Sequence, residues 1–151
     1  GANKDYASKD GVLFNKAFTE LVAYPAGKQS ASYTAPPTVS GIEAWAFSGC
    51  GKLSSISLSA KLSSIGDGAF WRCGGLSSLS LPEGLTSIGG GAFAGCPSLA
   101  SVTLLAQNPP KLGGDVVFPY DTRILVPATS LDAYKRAPGW EDYGEQLEAM
   151  R

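Results

Sequence analysis

Ile65-Gly66-Asp67-Gly68-Ala69-Phe70-Trp71-Arg72-Cys73-Gly74-Gly75-Leu76-Ser77-Ser78-Leu79-Ser80-Leu81-Pro82 is the stretch whose reading decides the fold. Near copies of it lie on both sides. Ile42, Ile65 and Ile88 stand 23 residues apart, as do Phe47, Phe70 and Phe93, and Cys50, Cys73 and Cys96. Leu53, Leu76 and Leu99 keep the interval, then Ile56, Leu79 and Val102, then Leu58, Leu81 and Leu104, with no insertion or deletion. A fixed period of this length marks a solenoid in which each repeat is one coil.

Each repeat has three parts. Leu-x-x-Ile/Leu/Val-x-Leu (Leu53 to Leu58, Leu76 to Leu81, Leu99 to Leu104) ends in an apolar–polar alternation, the period of a strand with one buried face. Leu-x-x-Ile (Leu62 to Ile65, Leu85 to Ile88, preceded by Val39 to Ile42) reads as a second short extended segment. Ala-Phe-x-x-Cys, at 46–50, 69–73 and 92–96, is too short for a stable isolated helix, and one helical turn held by packing is expected. Glycines cluster before it, where the chain turns a corner. One coil alone cannot offset the entropy of ordering its backbone, so stability requires neighbours.

The expected architecture is a β-dominated α/β solenoid of 23-residue repeats, capped by an N-terminal β-hairpin and a C-terminal strand and helix. Residues 1–10 are polar and expected to be a frayed or trimmed tail; the opening Gly1-Ala2-Asn3-Lys4 carries no leader, which leaves the compartment open. A single domain then runs over 11–151. Within it, 11–28 form the cap hairpin (Gly11 to Phe14 with Glu20 to Tyr24), 29–105 the coils and 106–151 the second cap. Tyr24 to Thr38 reads as a degenerate first repeat, with Tyr24 under Phe47 and Tyr33 under Ile56. After Leu104, Asn108-Pro109-Pro110 ends the repeats and a variable loop follows to about Pro119. Arg123 to Pro127 reads as one more strand, and Thr129-Ser130-Leu131-Asp132 as a capping box opening a short helix. Trp140 and Tyr143 are placed to pack on the last coil, and Glu141 to Glu148 to form a final helical turn.

Composition narrows the function. The 151 residues carry 12 Lys+Arg against 13 Asp+Glu, a net charge of −1, without the clustered positive charge of a nucleic-acid footprint or a polybasic membrane patch. No apolar run approaches the ~20 residues that span a bilayer. There is no His, so neither a Ser-His nor a Cys-His nucleophile pair can form. Between 42 and 104 the acids Glu43, Asp67 and Glu83 occupy different slots of different repeats, and Gly89-Gly90-Gly91 lacks the Lys-Ser/Thr of a phosphate loop. The three Cys fall in one slot and are expected to stack as small apolar side chains. No catalytic residue, metal ligand or cofactor site is expected.

The unit Ile-Gly-x-x-Ala-Phe-x-x-Cys-x-x-Leu-x-x-Leu-x-Leu-Pro resembles the BspA-like, or Treponema pallidum type, leucine-rich repeats. Ile65 to Pro82 matches it best; the repeat before has Glu43 and Ser59, and the repeat after has Leu105, where that pattern has Gly or Pro. The segments Asp10 to Lys16, Tyr24 to Lys28 and Val126 to Trp140 resemble the flanks of such proteins. The resemblance implies a secreted or surface-anchored bacterial protein, some of whose kin act as adhesins toward host matrix proteins or other bacteria. It supplies no signature ligand-binding residues.

Two surfaces are candidates for a ligand. Ser55, Ser57, Ser78, Ser80, Ser101 and Thr103 point outward from the first strand, with Ser32 and Thr34 below them, and predict a flat hydroxyl-rich sheet. This is either a protein or glycan platform or a merely solvated face. Trp45 stands where later repeats have Gly68 and Gly91, and Trp71 where others have Ser48 and Ala94. Neither is a core slot, so each is either packing on the adjacent coil or an anchor for a partner. The functional expectation is a non-catalytic surface or secreted adhesion module for a host or bacterial protein or glycan. The alternative is a structural spacer or self-associating repeat.

Overall fold

The computed structural model describes residues 5–114 and 116–150. The chain winds into stacked coils with three sides. β1 (Tyr6–Lys9), β2 (Val12–Asn15) and β3 (Glu20–Ala23) form an antiparallel meander. The coils then contribute β4 (Ser32–Thr34), β5 (Gly41–Ile42), β6 (Ser55–Ser57), β7 (Ser64–Ile65), β8 (Ser78–Leu81), β9 (Ser87–Ile88), β10 (Ser101–Leu104) and β11 (Lys111–Leu112). β12 (Arg123–Val126), one helix α1 (Leu131–Arg136) and β13 (Leu147–Ala149) complete the chain.

The first side is a seven-stranded sheet in the order β1-β2-β3-β5-β7-β9-β11, parallel from β3 onward. Its register brings Leu21, Ile42, Ile65, Ile88 and Leu112 into one file. β3 is thus both the end of the cap and the first parallel rung. The segment 1–10, expected to be frayed, supplies β1, with Tyr6 opposite Asn15. The cause is Asp10-Gly11, which turns with φ of 54° and 83°, the geometry of a tight hairpin. Residues 1–4 lie outside the described residues.

The second side was expected to be one flat sheet and is two. β4 pairs only with β6, while β8, β10, β12 and β13 form a separate parallel sheet. Between them the Ser77 N–H reaches the Ser54 carbonyl at 3.4 Å, too long to continue the ladder well.

The third side, Ala-Phe-x-x-Cys, is not a helical turn. Its amides alternate in direction. Ala46, Ser48 and Cys50 donate back three residues to Glu43, Trp45 and Phe47, while Trp45, Phe47 and Gly49 donate across to Asp67, Ala69 and Trp71 of the next coil. A helix would spend every amide within the coil; here half of them join coil to coil. The phenylalanines beneath form a stack. Phe47–Phe70, Phe70–Phe93 and Phe93–Phe118 centroids are 4.9, 5.1 and 5.4 Å apart, with rings within 3–8° of parallel. Tyr24 closes one end of the stack on Phe47 at 5.1 Å, and Trp140 the other on Phe118 at 5.6 Å. The cysteines line up beside it, free and buried, the Cys73 and Cys96 thiols donating to the Phe47 and Phe70 carbonyls at 3.0 and 3.1 Å.

Phe118 shows that the coils continue past Leu104. Leu112 pairs with Ile88, Ile124 with Val102, and the Phe93 N–H donates to Val117 as Phe70 does to Ala92. The intervals have drifted to 24, 22 and 25 residues, which hides this coil from a fixed-period reading. The lid lies beyond it. Trp140 Nε1 donates to the Pro110 carbonyl at 2.7 Å, the Tyr134 hydroxyl donates to that of Ala106 at 2.8 Å, and the Tyr143 hydroxyl accepts the Val117 N–H at 2.9 Å. The capping box does not form. Ser130 and Thr129 bond Gln107 instead, tying α1 to the coil beneath it. The tail, expected to form a final helical turn over Glu141 to Glu148, makes one 3₁₀ turn over Trp140–Tyr143 and then β13, paired with β12.

Candidate functional site

Hydroxyls in this solenoid have two fates. Ser40, Ser63 and Thr86 each donate to a carbonyl of the preceding coil, as do Ser54 and Thr122. These side chains join coils. The side-chain hydroxyls of Ser55, Ser57, Ser78, Ser80, Ser101 and Thr103 form no hydrogen bond among the described residues; the first four residues are exposed and the last two half-buried. Ser78 and Ser80 stand in register with Ser101 and Thr103 across β8 and β10, while β6 belongs to the separate sheet with β4. At the far end Arg123 follows Ser101 and Leu125 follows Thr103, and Arg123 forms an ion pair with Glu148 at 2.8 Å. The hydroxyl rows are therefore short and divided.

The turn side is built differently. Its backbone needs a left-handed residue twice per coil. Gly68 and Gly91 fill the first slot with φ of 60° and 66°; Gly49 and Gly95 fill the second with 74° and 72°. Trp45 and Arg72 occupy these slots at 63° and 57°. A side chain there costs about 1–2 kcal/mol relative to the right-handed region. Trp45 lies on the bare backbone of Gly68, and its ring meets Trp71 edge-on at 5.8 Å. The Arg72 guanidinium sits 4.5 Å from the Trp71 ring centroid, and its stem crosses Gly95. Trp45 is 56% exposed and Trp71 36%. Arg72 was not among the residues singled out from sequence; its left-handed slot, shared with two glycines, is the signal that joins it to the pair.

Exposed apolar surface gathers on this same side. Val116 and Tyr120, beyond the last regular coil, are 64% and 88% exposed. They rim an open groove of about 850 Å³ whose floor includes Cys96, Phe118 and Tyr143. Nothing in the local sequence announces this groove, because its walls come from three separate segments, around Cys96, Phe118 and Tyr143.

Of the three buried thiols, Cys50 is shifted down by its hydrogen bond with Cys73 and the other two are shifted up. A hydrogen bond to Cys50, followed by burial, pushes the Cys73 thiol well up, and burial raises Cys96. Thiols so placed stay protonated and inert. Among carboxylates Glu20 is raised, by burial and then by Glu43; Glu43 is itself exposed. Among the described residues no group of three or more His, Cys, Asp or Glu could hold a metal ion, and no helix is long and apolar enough to cross a membrane.

Parallel strands stacked at a period of about 23 residues, with leucine and isoleucine files inside, define a leucine-rich-repeat solenoid of about six turns. Residues 26–114 match the BspA type leucine rich repeat region, and the chain belongs to that family. It is similar in structure to a leucine-rich repeat protein from Eubacterium ventriosum, with 26% identity and a TM-score of 0.73. That match covers 97% of this chain and 39% of the other. A leucine rich cell surface protein from Faecalibacterium prausnitzii shares the fold at 23% identity and a TM-score of 0.54, covering 98% of this chain and 40% of that one. So does the pneumococcal vaccine antigen PcpA, at 19% identity and a TM-score of 0.50, covering 97% and 46%. The chain thus spans less than half the length of each. No curated protein matches it.

Proposed function

We propose that the chain is a non-catalytic binding module of a bacterial cell-surface or secreted protein, of the adhesion kind, and that it meets a host or bacterial protein or glycan with its turn side. One observation carries this reading. A tryptophan stands in a left-handed slot that the array otherwise gives to glycine, and it holds its ring in solvent against a second tryptophan and an arginine. Glycine would fit the backbone there without strain, whereas the tryptophan contributes its packing on Gly68 and Trp71 and leaves more than half of its surface in solvent. Paired exposed rings beside a guanidinium suit a sugar face or an aromatic or acidic side chain of a protein, and Trp and Arg are enriched among residues that anchor partners. The surface location is supported by family membership and by the printed names of the similar cell surface protein and vaccine antigen.

Glycan and matrix-protein arrays probed with the purified chain test the reading. A ligand found there is expected to weaken roughly tenfold or more with Trp45→Ala/Trp71→Ala, the size of a hot-spot loss. It should keep its affinity with Ser57→Ala/Ser80→Ala. The reverse pattern would move the site to the strand side.

A further inference from the structure

Resting on the reading of the chain as a binding module, we propose that the groove at the C-terminal end of the turn side holds a cationic, apolar peptide segment of a partner protein. Its apolar side chains would lie on the floor of Phe118 and Tyr143, and its lysines or arginines against Asp121 and Asp142.

The volume, about 850 Å³, lies within the ~300–1,000 Å³ of ligand pockets, but the groove is open along its length. It therefore suits an extended segment laid into it rather than an enclosed small molecule. The floor and rim are apolar: Cys96, Phe118 and Tyr143 below, Pro97, Val116 and Tyr120 above. Val116 is a β-branched residue at a φ of 54°, a conformation such residues rarely adopt, and it directs its side chain to the rim rather than to the core.

Charge selects the occupant. Asp121 and Asp142 line the groove, and Glu141, Glu145 and Glu148 continue the acidic surface beside it. Arg123 is the basic residue of this flank, and it is paired with Glu148. Among the described residues no cation pairs with Asp121, Glu141, Asp142 or Glu145. Seven of the 13 acids of a nearly neutral chain fall after Lys111, against four of the 12 Lys+Arg, so this end carries a net charge of −3. The Arg72 stem lies against Gly95 of the groove wall, with its guanidinium over Trp71. An anionic or neutral segment would leave the carboxylates unpaired against a covered surface.

The test uses three labelled synthetic peptides and fluorescence anisotropy at two salt concentrations. One alternates lysine with leucine and phenylalanine. The second replaces lysine by glutamate, and the third replaces the apolar residues by serine. The first is expected to bind and to weaken with salt; the other two are expected to bind at least tenfold more weakly. Tyr120→Ala, at a side chain almost wholly in solvent, should weaken the first peptide severalfold without changing the fold. Asp121→Asn/Asp142→Asn should weaken it roughly tenfold and flatten its salt dependence.

Equal binding of the serine peptide would mean unspecific attraction to acids and would overturn the proposal, as would no binding at all. Dimerisation in sedimentation that Tyr120→Ala abolishes would assign the groove to a second copy and overturn it too. Trp45→Ala/Trp71→Ala is expected to leave peptide affinity unchanged. An array ligand that depends on the tryptophans, alongside a peptide that fails to bind, keeps the functional reading and removes this one.

Discussion

The turn side has an interior that repeats almost perfectly and an exterior that does not repeat. Beneath it, four phenylalanines stack within 3–8° of parallel and the thiols follow one carbonyl pattern. Above it, the slots one residue from those rings hold Ser48, Trp71 and Ala94, and the left-handed slots hold Trp45, Gly68 and Gly91. The two layers belong to the same residues in sequence, so the difference does not come from the backbone. Packing against neighbours on both faces constrains the inner layer to one side chain, since an odd member would leave a void or a clash in two interfaces at once. The outer layer has no such constraint, and what departs from the simplest residue there requires another cause.

Phe70 and Trp71 are the sharpest form of this contrast, being adjacent in the chain. Phe70 is fully buried between Phe47 and Phe93, and Phe70→Ala is expected to cost about 3–5 kcal/mol in urea unfolding. Trp71→Ala loses the edge-on contact with Trp45 and the Arg72 guanidinium over its ring, and is expected to cost about 1 kcal/mol or less. Similar costs for the two would break the comparison by making Trp71 part of the core.

A smaller effect probes how dry the inner layer is. Cys73 and Cys96 have thiol pKa values raised in the folded chain, whereas in the unfolded chain thiols titrate near ~8.5. The folded state therefore holds these protons more tightly. The stability this gives is full below about pH 8.5 and is lost as pH rises toward the folded pKa, at about 1.4 kcal/mol per pH unit for each thiol. Tyr33, pushed up to about 12 chiefly by burial, adds to the loss above about pH 10. Unfolding free energies under reducing conditions between pH 8 and 10 should fall accordingly. Cys96→Ala should lessen that slope; Cys50 and Cys73 titrate as a pair, with Cys50 shifted down where Cys73 is shifted up. A flat profile in the parent chain would mean that water reaches the file.

Most of the interior was legible because it is local and periodic: Phe47, Phe70 and Phe93 announce one slot by spacing alone, and their stacking follows from the 23-residue coil. Phe118 was lost for the complementary reason. The echo of Gly89-Gly90-Gly91-Ala92-Phe93 in the Gly113-Gly114 and Val117-Phe118 pairs is present, but the two inserted residues defeat a fixed interval. β1 was signalled by Asp10-Gly11, a hairpin dipeptide that polar surroundings disguised. β13 and the groove carry no local signal. The one depends on pairing with β12 and the other on walls drawn from three separate segments, and neither neighbour is visible from the residues themselves. Trp45 and Trp71 could be placed outside the core by their slots. What could not be read was the left-handed backbone, since φ follows from amides that alternate between coils.

That backbone yields the smallest and most discriminating effect. At an ordinary exposed position, replacement by alanine is less harmful than replacement by glycine, because glycine leaves the unfolded chain freer. At Trp45 the order should invert. Both substitutions lose the ring's contacts with Gly68 and Trp71, so that loss cancels in the comparison. Alanine keeps a Cβ at a φ of 63°, and glycine releases it. Trp45→Gly is thus expected to be more stable than Trp45→Ala by up to about 1 kcal/mol, and Arg72→Gly more stable than Arg72→Ala by a similar amount, measured as paired urea midpoints. If alanine proved the better residue at both sites, the slots would not be strained. The presence of tryptophan in one of them would then need no explanation beyond its packing on Gly68. If Trp45→Gly also proves more stable than the parent chain, the ring's packing on Gly68 and Trp71 does not repay the strained slot, and a contact outside the fold is left to account for it.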